Sequence, residues 1–327
     1  MQWLKKLGLD GFMLALIGAV ALSAVWPELG RSGGLLRIEV FTGYGVAVVF
    51  LLYGLTLSPQ KLREGLFNWR LHATVQLSTF LLFPLLGLAL VSALGGVLVP
   101  ALALGFFFLA ALPSTVSSSV AMTSIAKGNV PGAIFNASLS SLIGVFLTPL
   151  WVNAYLKASG VAFDLWPVIL KVVMLVLLPI ALGQLLRPLL LKWLTRHAAL
   201  TRLLDRATIL AIVLNSFSDS VAEGVWAEHG ASTIALIAGL SVGLFALVYV
   251  LMQWACRRLG FDRGDTIACT FCGSKKSLAA GVPMAKVMFG ANPALGLIIA
   301  PIMLYHFLQL VMVSYLARRL GEQGGAP

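Results

Sequence analysis

Charged residues and turn formers cut this chain into a series of long apolar runs. A helix needs about 20 apolar residues to cross a hydrocarbon core of about 30 Å. By that measure the runs predict ten spans. Residues 11–27 make the first and 40–57 the second. No residue between His72 and Lys127 is charged. That stretch is too long for one helix, and Gly95, Gly96 and Pro100 mark a turn inside it, so it supplies the third and fourth spans. Residues 128–156, 165–186, 207–222, 231–255, 266–285 and 293–317 supply the other six. The pattern predicts an all-α polytopic protein whose first partner is the lipid bilayer.

Composition agrees. Of 327 residues, 59% are hydrophobic and 11% charged, about half the charge of a soluble domain. Ten spans put both termini on one side of the membrane. Sixteen of the 23 basic residues fall on that side, among them Lys5, Lys6, Lys61, Arg63, Arg202 and Arg206, and five fall on the other. The asymmetry predicts cytoplasmic termini. It also accounts for the net charge of +11 without a nucleic-acid partner. The basic start and apolar run of residues 1–27 read as a retained first span, since no small-residue cleavage pattern follows. Cys269 and Cys272 are spaced C-x-x-C but lack further ligands nearby, so they read as packing residues and no cofactor is expected.

Five spans per half make residues 1–158 and 163–327 candidate repeats. An odd number of helices inverts the second copy, an arrangement common in secondary transporters. The fourth span of each half should then match. The fourth carries ALPSTVSSSVAMTSIAKGN and the ninth ACTFCGSKKSLAAGVPMAK. Each has small and polar residues near its middle, and Pro113 or Gly273 weakens the helix there. Backbone unwound at that depth is tolerated only inside protein or beside a water-filled cavity. A serine-rich helix-packing surface is the alternative for the fourth span taken alone.

The ninth span also carries Lys275 and Lys276. Lys275 lies about 15 Å along a helix from Asp265, about half the hydrocarbon thickness. An ammonium there needs a cavity, a counter-charge, an anion, or carbonyls freed by the helix break. Asp219 is the candidate counter-charge. Other polar groups within the spans are Gln76, Asn136, Ser140, His306 and Gln309. Asn136 and Ser140 share one helix face, as do His306 and Gln309.

The strings PSTVSSSV, FNASLS, FSDS, FCGSKKSLA and YHFLQL, on ten spans with two broken helices, resemble the bile acid:sodium symporter superfamily. The resemblance covers nearly the whole chain. It implies two inverted five-helix repeats, with the broken fourth and ninth helices crossing. It implies a panel domain of helices 1, 2, 6 and 7 and a core domain of helices 3–5 and 8–10. It also implies an amphipathic organic anion bound between those domains and two sodium ions beside the crossover. The departures fall at the sodium ligands. Thr270 stands at the position of the shared carboxylate and Ser274 at that of the following glutamine. Lys275 stands at an asparagine position. Ser119-Val120 replaces a Ser-Asn pair, and Ala133 and Ala137 replace hydroxyl residues.

The expectation is therefore a non-enzymatic secondary transporter of a small organic anion, in a bacterial inner membrane. Its binding residues would be Ser117, Ser118, Ser119, Asn136, Ser140, Gly273, Ser274, Lys275 and Lys276, with the lysines standing in for sodium. Either a proton or sodium would be the coupling ion. Two alternatives stay open. One is a sodium symporter whose ions use Ser117, Ser118, Ser119, Asn136 and Ser140, Ser119 and Asn136 above all. The other is a non-transporting regulator of ion homeostasis. A membrane enzyme ranks last, for want of a metal cluster, nucleophile elbow or carboxylate pair.

Overall fold

The computed structural model describes residues 11–56, 67–160, 165–224, 230–290 and 292–323. Lys5, Lys6, Lys61 and Arg63 lie outside them. Regular structure among the described residues is helical. Six helices are long and apolar enough to cross a membrane: Ile38–Thr56, Trp69–Ala93, Val130–Ala158, Leu170–Arg196, Ala231–Arg258 and Leu295–Gln323. Leu14–Val25 and Pro100–Ala111 are shorter apolar helices.

In chain order, α1 is Gly11–Val25, α2 Pro27–Gly30 and α3 Ile38–Thr56. The next membrane-length helix is α4 (Trp69–Leu77), a π-helical turn (Ser78–Leu82) and α5 (Phe83–Ala93). Pro84 sits in the first turn of α5, where its missing N–H and ring bulk are absorbed by the wider π turn. The Gly95–Pro100 turn leads into α6 (Pro100–Ala111). Then come α7 (Ser117–Ile125), α8 (Val130–Ala158), α9 (Leu165–Val172) and, after a second π turn, α10 (Leu178–Arg196). The rest are α11 (Ala198–Ala222), α12 (Ala231–Arg258), α13 (Arg263–Gly273), α14 (Leu278–Phe289) and α15 (Leu295–Gln323).

Side-chain caps start several of these helices. Asn68, Asn129, Asp262 and Ser277 each accept a hydrogen bond from a backbone N–H in the first turn of α4, α8, α13 and α14. Such caps satisfy donors that the helix itself leaves orphaned. Small residues set the close approaches. A Cβ on Gly54 would strike the backbone of α10, and one on Gly105 would come 2.6 Å from the Ile298 carbonyl of α15. α11 packs on α1 and α3, and α3 on α10, while α15 packs on α6, α12 and α14.

Several boundaries differ from the expected spans, two of them for a clear physical reason. Residues 207–222 were expected as the seventh span, but α11 begins nine residues earlier, at Ala198. Its early turns carry Arg202, Asp205 and Arg206, which is why α11 is not among the six membrane-length apolar helices. The first helix stops at Val25, not Pro27, because Pro27 forces Trp26 out of helical conformation.

Candidate functional site

Both expected interruptions are present. Residues 112–116 separate α6 from α7, and residues 274–277 separate α13 from α14. The two breaks touch: the N–H of Ser277 donates to the Pro113 carbonyl at 3.0 Å. Buried backbone groups need partners, so each carbonyl freed here is a question with a definite answer.

In the second break, hydroxyls and one amide supply the answers. Ser119 donates to the Phe271 carbonyl at 3.4 Å, Ser114 to Cys272 at 2.6 Å and Ser78 to Gly273 at 2.9 Å. Tyr305 donates to Ser274 at 2.8 Å. Gln309 holds both backbone groups of one residue: its Oε1 accepts from the Lys276 N–H at 2.9 Å, and its Nε2 donates to the Lys276 carbonyl at 2.7 Å. His306 Nδ1 lies 2.9 Å from Gln309 Nε2 and 3.4 Å from the same carbonyl.

In the first break the answer is an ammonium. Lys276 Nζ donates to the carbonyls of Ala110 at 2.8 Å, Leu112 at 2.7 Å and Thr79 at 2.9 Å. Those three bonds use all its donors. The Ala111 carbonyl between them takes the Thr148 hydroxyl at 2.8 Å. Thr79 belongs to the π turn, where i→i+4 pairing is lost. The next carbonyl of that turn, Phe80, takes Trp151 Nε1 at 2.8 Å. The Phe83 ring closes the site, with Nζ 4.1 Å from its centroid.

Lys275 is equally buried, at 0% exposure, but is held differently. Its Nζ donates to Ser118 Oγ at 3.3 Å. Ser118 in turn donates to Thr115 Oγ1 at 2.8 Å, and Thr115 and Ser119 share a bond of 2.7 Å.

Beside the two breaks lies a cavity of about 730 Å³ between α3 and α11 on one wall and α7, α8 and α14 on the other. It runs from Pro113 and Ala280 at the breaks to the helix ends at Thr56, Ser124 and Thr201, on the side of the basic loops. On the opposite side α11 is held to α14 and to the turn before α15. Lys286 Nζ on α14 donates to Asn215 Oδ1 on α11 at 2.8 Å, and Ser220 on α11 donates to the Pro293 carbonyl at 2.7 Å.

The sequence matches the SBF-like CPA transporter family over residues 10–322. The chain belongs to that family. A Pseudomonas aeruginosa protein of uncharacterised function is 45% identical over 317 residues, covering 96% of this chain and 93% of its own. YfeH of Escherichia coli (strain K12), a symporter by name, is 38% identical over 315 residues, covering 96% and 94%. Mouse sodium/bile acid cotransporter 7 is 29% identical over 324 residues, covering 97% and 94%. Membership of a transporter family makes the chain a multi-pass membrane protein of the bile acid:sodium symporter superfamily, with bacterial relatives.

In this SBF-like chain the expected site residues separate into groups. Ser118, Ser119, Ser274, Lys275, Lys276, His306 and Gln309 meet at the breaks. Gly273 ends α13, where a Cβ would come 2.6 Å from Met252 Cε. Ser274 turns its hydroxyl onto the Thr270 carbonyl at 2.7 Å. Ser140 accepts from the Ser114 N–H at 2.9 Å. Gln76 Nε2 donates to the Asn136 backbone carbonyl at 3.1 Å, while Asn136 Nδ2 donates to the Gly132 carbonyl at 3.0 Å. Ser117 opens α7, and its side chain lies outside the described set.

Asp219 does not meet the lysine pair. Its carboxylate takes the Ser32 N–H at 2.6 Å and the Ser32 hydroxyl at 2.8 Å, tying α11 to the turn after α2. Position along a helix gives depth but not direction, and Asp219 points to a different neighbour. The sequence reading also missed Ser78, Thr148 and Tyr305. Only Tyr305 carried a signal, one turn of helix before Gln309.

Proposed function

We propose that the chain is a secondary transporter of a small organic anion, working by alternating access, with its lysine pair standing where sodium-coupled relatives hold sodium. The observation that carries this reading is the Lys276 ammonium, which completes the same task a bound cation would: three carbonyls from two backbone segments, the π turn and the end of α6, are pulled onto one positive charge. The accounting at the second break supports it further, because the carbonyls of Phe271, Cys272, Gly273, Ser274 and Lys276 are already taken by protein donors.

In this reading the chain is ten helices in two inverted five-helix repeats, residues 1–158 and 163–327, in a bacterial inner membrane with cytoplasmic termini. The panel domain comprises α1–α3 and α9–α11. The core comprises α4–α8 and α12–α15. The cavity is the substrate site seen from the cytoplasm, and the Lys286–Asn215 contact closes the other face. The names of the relatives make bile acids the first anions to try.

Thermal stability of the purified protein, titrated with sodium against potassium at constant ionic strength, tests the reading. A ligand bound only by the folded state raises its apparent stability. The expected result is no saturable sodium effect, together with sodium-independent uptake of radiolabelled taurocholate or another organic anion into proteoliposomes. A sodium shift absent with potassium overturns the lysine substitution. Flux of no anion overturns transport.

A further inference from the structure

The cavity wall formed by α11 carries charge, whereas the wall of α7, α8 and α14 does not. Among the described residues lining the cavity, two bear a charge at neutral pH: Arg202 and Asp205, one turn apart on α11. They are not paired with each other. Arg202 turns its Nε back onto the Ala198 carbonyl at 3.1 Å. Asp205 is half-buried and has no hydrogen bond or ion pair with a described residue. Its surroundings explain why this matters. Arg206 follows it on α11 and stacks its guanidinium 5.2 Å from the Phe12 ring of α1. Tyr53 faces the cavity from α3, Ile180 from α10, and Ser124, Ser138 and Met284 from the opposite wall. None of the last four is ionisable.

A carboxylate is a poor lining for a cavity that must admit an anion. With Asp205 ionised, the two lining charges cancel. With Asp205 protonated, the lining carries the single positive charge of Arg202. Resting on the organic-anion reading above, we infer that Asp205 is a proton-binding site of the cavity, and that the proton it takes up is what admits the anion. Proton and anion then enter together, and the coupling ion sits on the panel wall, apart from the lysines of the crossover. Burial raises the Asp205 carboxyl to about 6, against the lowering pull of Arg206, so the site changes charge in the range where cells hold pH gradients. Asp205 lies just outside the seventh span, at the mouth, where it meets an entering ligand early.

The test needs no identified substrate. Ser138 lines the wall opposite and is half-buried, so Ser138→Cys places a thiol inside the cavity. Its labelling is measured with the anionic reagent 2-sulfonatoethyl methanethiosulfonate and with neutral methyl methanethiosulfonate. The parent protein, whose Cys256, Cys269 and Cys272 are buried, serves as background. Taking the ratio of the two rates removes the pH dependence of the thiol itself. The expected ratio rises on the order of tenfold from pH 7.5 to pH 5.5, since a focused field changes local ion concentration by such factors. With Asp205→Asn it is high and flat; with Asp205→Glu the slope returns. A flat ratio in the protein that keeps Asp205, with brisk labelling by the neutral reagent, overturns this inference and leaves the transport reading standing. No labelling by the neutral reagent removes the cavity, and both fall together.

Discussion

Lys275 and Lys276 are adjacent and equally buried, yet replacing each by methionine should have opposite consequences. Methionine keeps most of the side-chain volume, so packing is nearly constant and the difference is electrostatic. Lys276→Met leaves the carbonyls of Thr79, Ala110 and Leu112 without a donor in a buried site. Each buried orphan costs about 1–3 kcal/mol, and the relief from removing a buried ammonium offsets part of that. Taking the low end for each carbonyl gives a net loss of about 3 kcal/mol. At about 2 °C per kcal/mol, Tm falls by about 6 °C. Lys275→Met gives up one long bond, 3.3 Å to Ser118, worth about 0.5 kcal/mol, and replaces a sparsely paired charge with an apolar group. Its Tm should stay level or rise. The assay is thermal unfolding in detergent, followed by loss of the monodisperse chromatographic peak. Equal shifts for the two variants, or a larger drop for Lys275→Met, would refute the distinction between an anchored ammonium and a loosely held one.

Two further outcomes are expected. Acidification should stabilise the protein between about pH 6 and pH 4: the raised Asp205 carboxyl binds its proton more tightly folded than unfolded, so the penalty of its ionised form is complete above about pH 6 and absent below about pH 4. Solvent access at the cavity mouth reduces the effect to about 1 kcal/mol, and Asp205→Asn should abolish the slope in a melting series across that range. Lys286→Met removes the bond to Asn215 that closes the face away from the cavity, so a cysteine placed at Ser216 should be alkylated faster from that face, by about fivefold for a contact worth about 1 kcal/mol.

What could be read from the sequence, and what could not, divides along a physical line. The two breaks were legible because Pro113 and Gly273 weaken helices by known mechanisms, and the serines and lysines around them have no business in hydrocarbon. Gln309 was legible as a polar group on the right face. The coordination of Lys276 was not, because its partners are backbone carbonyls, which every residue possesses and no letter advertises. The carbonyls of Thr79 and Phe80 are open because Pro84, five and four residues on, has no N–H to offer them; the proline is visible in the sequence, but the groups that replace its N–H are not. Asp219 was misjudged because spacing fixes height in the membrane, while the direction it faces depends on how α11 packs against α2. Asp205 is masked in the sequence for a third reason. The basic residues around it made it look like part of a loop, whereas α11 continues through it and carries it to the cavity wall.

The tie between Lys276 and its three carbonyls has one more consequence. A dissolved ion occupies its site only as often as its concentration allows, whereas a cation joined to the chain by four methylenes has an effective concentration that no change of medium can dilute. The joint between the two broken helices is therefore complete as soon as the chain folds, in fresh water as in brine. The side chain is replicated with every copy of the protein, so its place in the joint does not depend on which ions the medium holds.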